Sequence, residues 1–368
     1  MFAILLGFTC QLKFQPIAID LNTSYRAFSP VVADFNSDGR SDVAILIEER
    51  VKVLFGDSNG SFISQITLPE KRSYSSIAVG DFNNDAHIDL VFSGYFAGTL
   101  GTWFGNGDGT FETPIIGRAE TDSSDSDIFV AHFNNDSYLD LAVSDHMYGR
   151  IYIYFGNGDG TFTIEILHLI EIAYAKILMN VAHFNNDSYS DIVVSDHHSN
   201  YIVIFLGYGN GRFQRQKRMF TGPNFSPESV TVNDLNGDGR LDIVFSYNYR
   251  NVVSIMFGYG DGSFTSKKNF PLQERNATQP SVVISDFNED GLLDIITDGA
   301  NPYCVDVLIG RGNGSFEAQR LLFTEHLLQF RTGLVVGDFN GDGHQDILSS
   351  TTIGVHLNIR LNTCNCCT

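Results

Sequence analysis

Positive charge is scarce in this chain. Lys and Arg number 23 against 43 Asp and Glu, a formal net charge of −20 over 368 residues. Nucleic acid and anionic membrane surfaces both call for a basic face, so neither is expected as a partner. No apolar run approaches the roughly 18 residues of a spanning helix, so no membrane insertion within this chain is expected. Cysteine is sparse, odd in number and crowded toward the ends: Cys10, Cys304, Cys364, Cys366 and Cys367. That distribution does not make a disulfide framework. There is one tryptophan, Trp103. A nucleophile elbow, a phosphate loop ahead of a helix and a His-Glu-x-x-His pair are all missing, so no catalytic residues and no enzyme are expected. Residues Met1 to Thr9 are apolar but have no basic flank and no small-residue cleavage site, which makes a poor signal peptide. A piece of a longer product fits that beginning.

The chain does have an internal repeat. Acidic residues recur in seven nine-residue segments at 34–42, 81–89, 132–140, 183–191, 234–242, 286–294 and 338–346, whose starts are 47, 51, 51, 51, 52 and 52 residues apart. Calcium is a hard cation that takes roughly six to eight oxygens. Oxygen side chains at positions 1, 3, 5 and 9 can wrap it, with a backbone carbonyl from position 7 and a turn-permitting Gly at position 6. The expected ligands in loop one are Asp34, Asn36, Asp38, Asp42 and the carbonyl of Arg40. Loop two offers Asp81, Asn83, Asp85, Asp89 and the carbonyl of His87, with Ala86 straining the turn. Loop five offers Asp234, Asn236, Asp238, Asp242 and the carbonyl of Arg240. Loop six offers Asp286, Asn288, Asp290, Asp294 and the carbonyl of Leu292. Loop seven offers Asp338, Asn340, Asp342, Asp346 and the carbonyl of His344.

Loops three and four are poorer. They carry His132 and His183 at position 1 and Ser137 and Ser188 at the turn. Their remaining donors are Asn134, Asp136, Asp140 and the carbonyl of Tyr138, then Asn185, Asp187, Asp191 and the carbonyl of Tyr189. These two are expected to be weak, empty, or held by hydrogen bonds alone, leaving about four to five calcium sites. An Asx turn that needs no metal explains one or two such loops. Seven clusters of like charge call for a cation. An EF-hand does not fit, because its twelfth position is Glu and here Ile45, Phe245 and Ser349 stand there.

A second signature follows the loops: Phe104 to Phe111, Phe155 to Phe162 and Phe257 to Phe264, with weaker copies at Phe55 to Phe62, Leu206 to Phe213 and Ile309 to Phe316. The seventh repeat lacks it. Short β-branched and aromatic runs bounded by Gly, Asn and Asp lie between the two signatures and read as strands, four per repeat. Four strands at this period suit a propeller blade. A kelch blade needs a Gly pair and a Trp in each repeat, which one Trp cannot supply. The ion loops and Phe-Gly turns resemble the FG-GAP/VCBS repeat family, which includes the propeller of integrin α subunits. The resemblance covers about residues 14 to 361 and implies an all-β, seven-bladed propeller of four-stranded blades.

On this reading residues 1–362 form one propeller and 363–368 a Cys-rich tail. Phe14 to Asp20 is expected to complete the seventh blade and close the ring, since an unpaired edge is a liability. Cys10 would then lie near Cys364, Cys366 and Cys367, close enough for a disulfide. The ion loops and Gly-rich turns share one face. The opposite face carries irregular loops with Tyr95, His146, Tyr148, His197, His198, Tyr247, Tyr249, Arg250 and Tyr303. Aromatic loops on a rigid scaffold are where a ligand is expected, and the resemblance implies the same face. The expected function is a calcium-stabilised, extracellular protein-interaction or adhesion module. A carbohydrate-binding or lyase-associated propeller is the alternative. Sequons at Asn22, Asn224 and Asn276 are compatible with secretion.

Overall fold

A computed structural model describes residues 14–20, 27–47, 49–62, 64–94, 98–119, 126–146, 148–169, 177–196, 200–214, 217–223, 227–247, 250–272, 281–298, 304–322, 331–351 and 356–362. Among them there is no helix, and so none long and apolar enough to cross a membrane. The strands form seven antiparallel sheets of four. β1 (Phe14–Asp20) belongs to the last of them. Blade one holds β2 (Ala27–Ala33), β3 (Asp42–Ile47), β4 (Arg50–Phe55) and β5 (Ser64–Thr67). Blade two holds β6 (Tyr74–Gly80), β7 (Asp89–Gly94), β8 (Thr99–Trp103) and β9 (Ile115–Arg118). Blade three holds β10 (Ile128–Ala131), β11 (Asp140–Asp145), β12 (Arg150–Gly156) and β13 (Phe162–Leu169). Blade four holds β14 (Ile177–Ala182), β15 (Asp191–Asp196), β16 (Tyr201–Phe205) and β17 (Lys217–Phe220). Blade five holds β18 (Pro227–Asn233), β19 (Asp242–Tyr247), β20 (Val252–Met256) and β21 (Lys268–Pro271). Blade six holds β22 (Val282–Ser285), β23 (Asp294–Asp298), β24 (Cys304–Gly310) and β25 (Phe316–Leu322). Blade seven holds β26 (Arg331–Gly337), β27 (Asp346–Thr351), β28 (His356–Asn362) and β1.

The first strands touch one another in turn, from β2 to β6 and onward to β26, which returns to β2. They therefore encircle an axis, and the fourth strands lie outside. β1 runs antiparallel to β28, with Phe14 opposite Asn362 and Asp20 opposite His356.

The core lies between blades. Each second strand is buried on both faces, because alternate residues point to different neighbours. Val43 and Ile45 pack with Phe339 and Leu348 of blade seven, while Ala44 and Leu46 pack with Ile77 and Leu90 of blade two. Five further interfaces between neighbouring blades repeat this around the ring. Both sequence signatures are part of the packing. The Phe at position 2 of an ion loop meets the closing Phe of the next blade's turn: Phe35 with Phe111 at 5.7 Å, Phe82 with Phe162 at 5.7 Å, and Phe184 with Phe264 at 5.5 Å between ring centroids. Phe62 against Phe339 at 5.9 Å joins blade one to blade seven.

Candidate functional site

Asp42 ends loop one and begins β3. Its Oδ2 accepts the N–H of Phe35 and its Oδ1 the N–H of Gly56, each at 2.9 Å. The same pair of bonds is made by Asp89, Asp140, Asp191, Asp242, Asp294 and Asp346, and all seven carboxylates are buried. Position 9 thus clamps the start of its loop to the Phe-Gly turn. Burial pushes these acids up, against the lowering by their two amide donors. Asp42, Asp89, Asp191, Asp242 and Asp294 reach about 6 and Asp346 about 7, and Asp140 moves the same way. In the six that reach these values, the carboxylate at position 5 adds to the rise, joined by that at position 1 except in loop four.

The other donors fold back on their own loop. Asp34 accepts the N–H of Asp38 at 3.1 Å and of Gly39 at 2.8 Å, Asn36 accepts the N–H of Asp38 at 3.1 Å, and Asp38 accepts the N–H of Arg40 at 2.9 Å. Loops two, five, six and seven repeat the pattern. The turn needs a left-handed residue at position 6. Gly39 has φ +82°, and Ala86 is held at +68° against its side chain. Among the described residues no three His, Cys, Asp or Glu side chains converge as a metal-binding group. The donors are all oxygens, as a hard cation requires, and loops one, two, five, six and seven each carry carboxylates at positions 1, 5 and 9. In loop one Arg40 already pairs with Asp38 at 2.5 Å.

Loops three and four close differently. His132 Nδ1 lies 2.8 Å from the carbonyl oxygen of Tyr138, and His183 Nδ1 lies 2.8 Å from that of Tyr189. A carbonyl only accepts, so Nδ1 carries the proton. The imidazole thereby joins position 1 to the same position-7 carbonyl that the sequence pattern assigns to calcium. Loop four is less complete, for Asn185 Oδ1 is buried without a hydrogen-bond partner.

The Gly-rich turns latch neighbouring blades. A Cβ on Gly258 would stand 2.2 Å from the carbonyl oxygen of Leu241, so the Phe-Gly glycine is a steric necessity. The turn's last glycine reaches back: Gly109, Gly160, Gly211 and Gly262 donate to the carbonyls of Phe35, Phe82, Phe133 and Phe184 in the preceding blade. Blade seven has no such turn. There Asn362 substitutes, its backbone N–H on Asp346 and its side-chain Nδ2 on the carbonyl of Phe287, both at 2.7 Å.

On the opposite face, Tyr148 is exposed with the Arg150 guanidinium 5.0 Å from its ring centroid, and Arg250 is exposed. Two expected ligand-face residues need correction. Tyr247 is fully buried, its hydroxyl 3.0 Å from Ser254 Oγ and its ring edge-on to Phe245, because it lies on the face of β19 that packs with blade four. His146 is also buried, with Nε2 2.9 Å from Ser144 Oγ and 3.4 Å from Asp127 Oδ2. Both partners meet the same ring nitrogen and Ser144 is inaccessible, so this Ser-His-Asp group lacks the geometry of a catalytic triad. Tyr95, His197, His198, Tyr249 and Tyr303 lie outside the described residues, as do residues 1–13 with Cys10, the tail 363–368 and the sequons at Asn22, Asn224 and Asn276.

Three exposed tyrosines sit instead on the ion-loop face: Tyr138 in loop three, and Tyr208 and Tyr259 in the turns of blades four and five. The sequence signal for the last two is a departure from the turn pattern, Tyr where blades two and three have Asn106 and Asn157.

The family model described as FG-GAP-like repeat matches residues 34–92, 183–245 and 234–297. No curated protein matches the chain in sequence. Among solved structures, a lectin from Agrocybe aegerita, reported to recognise non-reducing terminal N-acetylglucosamine, aligns with a TM-score of 0.61 at 18% identity, over 82% of this chain and 81% of that one. Virginiamycin B lyase from Staphylococcus aureus aligns with a TM-score of 0.65 at 12% identity, over 95% of this chain and 99% of that one. At such identities the likeness is one of fold.

Proposed function

We propose that this seven-bladed propeller, three stretches of which match the FG-GAP-like repeat, is a calcium-braced, extracellular recognition module that binds its ligand without transforming it. The observation that carries the calcium reading is the oxygen-only loop in which like charges press on a buried Asp. In loop five, Asp238 and Asp234 both raise Asp242. A divalent cation held by Asp234, Asn236, Asp238, Asp242 and the Arg240 carbonyl would relieve that repulsion. Loops one, two, six and seven carry equivalent donors. Loops three and four supply their own cross-link through His132 and His183.

Calcium should raise the melting temperature through linkage, since it binds only the folded loops. An unchanged melting temperature between millimolar calcium and excess chelator would sink this reading. Affinities of order 10⁻⁴–10⁻³ M suit an extracellular site.

As to the ligand, the protein-interaction reading keeps Tyr148 and Arg250 on the opposite face. The carbohydrate reading is favoured by a specific observation, the exposed tyrosines of the ion-loop face. Fold analogy to a lectin supports it only loosely.

A further inference from the structure

Tyr208 and Tyr259 occupy the same position in their turns and are 53% and 54% exposed. In other blades that position closes the turn. Asn106 and Asn157 donate to the hydroxyls of Thr110 and Thr161 at 2.9 Å. Asp57 accepts from the N–H and the hydroxyl of Ser61, and Arg311 pairs with Glu317. A phenol does none of this. The two Tyr turns keep the backbone bond common to all the turns, Tyr208 N–H on the Arg212 carbonyl and Tyr259 N–H on the Ser263 carbonyl at 2.9 Å, and are closed further by Asn210 and Asp261, which accept the N–H of Arg212 and of Ser263, with no part for the phenols. Each ring is a stiff aromatic plate on a fixed base, which the fold itself does not use.

The sector around them is distinctive. The blade-four turn bridges to loop three through Asn210 and Asn134, and its Gly209 lies against the ring of Tyr189. The blade-five turn bridges to loop four through Asp261 and Asn185. Those are the two loops in which an exposed His replaces the first carboxylate. The tyrosines therefore stand where two first-position carboxylates have given way to imidazoles, beside amides, while Asp136, Asp187 and Asp261 remain.

We propose that this sector binds a neutral oligosaccharide. The faces of Tyr208 and Tyr259 would stack on the apolar faces of sugar rings, and the exposed Asn210 amide would hydrogen-bond their hydroxyls. The inference rests on the carbohydrate reading above. A protein partner fits less well, because a stable interface needs on the order of 1,000 Å² around a contiguous apolar core, whereas the turns that carry these tyrosines also carry exposed Asn210 and Asp261. An anionic glycan would meet Asp136, Asp187 and Asp261.

The test is an array of neutral cellulose, chitin, mannan and galactan fragments probed with the full chain in calcium, followed by calorimetric titration of any fragment bound. A Tyr208→Ala/Tyr259→Ala double variant should bind at least ten-fold more weakly at an unchanged melting temperature. A Tyr148→Ala/Arg250→Ala variant of the opposite face should bind as the parent does. Binding of no fragment, or equal binding by the Tyr208/Tyr259 variant, overturns the proposal. Loss of binding only in the opposite-face variant overturns this placement and leaves the carbohydrate reading standing. The calcium-dependent melting temperature, read on the same samples, reports separately on the calcium brace.

Discussion

Asp242 holds two buried backbone amides that are 23 residues apart, Leu235 and Gly258. Removing an acceptor leaves each N–H unsatisfied, at roughly 1–3 kcal/mol apiece. Asp242→Ala should therefore destabilise the metal-free protein by about 2–6 kcal/mol, read as a lower denaturation midpoint in chelator. A residue whose sole role was to bind metal would show its loss only in calcium. Gly258→Ala carries a different prediction at the same scale. Its Cβ would collide with backbone rather than with a flexible side chain, so a loss of about 2 kcal/mol or more is expected. The spacing of Asp242 is plain in the sequence, but its double duty is not. A carboxylate that accepts two N–H groups and one that ligates a cation are spelled with the same letter. Tyr247 misleads for a related reason: an aromatic at the end of a strand reads like one in the loop beyond, and only the packing of β19 with blade four buries it.

Among the connecting elements, the ion loops divide into two kinds. Five close with a carboxylate at position 1 and two close with an imidazole. That an acid is missing from loops three and four is visible in the sequence. That His132 and His183 take over the position-7 carbonyl is not, because the bond depends on loop closure and on which ring nitrogen carries the proton. His183→Asp should remove the imidazole cross-link and restore a carboxylate beside the orphaned Asn185 Oδ1. The expected outcome is a lower melting temperature in chelator and a larger rise on adding calcium than the parent shows. An identical calcium response would mean that loop four cannot be converted. The turns show the converse. Their Phe and Gly positions are legible because sterics demand them, whereas Tyr208 and Tyr259 stand at a position the Phe-Gly pattern leaves open, so the motif does not single them out.

Over the whole molecule the clamping acids act in concert. Raised values mean that the native ring binds more protons than the unfolded chain between about pH 4 and pH 6 to 7. Stability from this source is therefore fully present below about pH 4 and falls as pH rises through that window. In chelator the protein should melt higher at pH 5 than at pH 7.5, and calcium should narrow the gap by stabilising the ionised loops. Thermal melts at the two pH values, with and without calcium, check both statements.

The latches between blades also point one way. The carbonyl of Phe35 waits for Gly109, and that of Phe82 waits for Gly160, always in the blade made next. At ribosomal speeds of roughly 5–20 residues per second, some 74 residues of further synthesis leave such a loop unfinished for about 4–15 s. The nascent propeller therefore matures one blade behind the point of emergence. A chain stalled after the first, second, third or fourth repeat leaves that repeat's ion-loop carbonyl without the glycine N–H that would meet it.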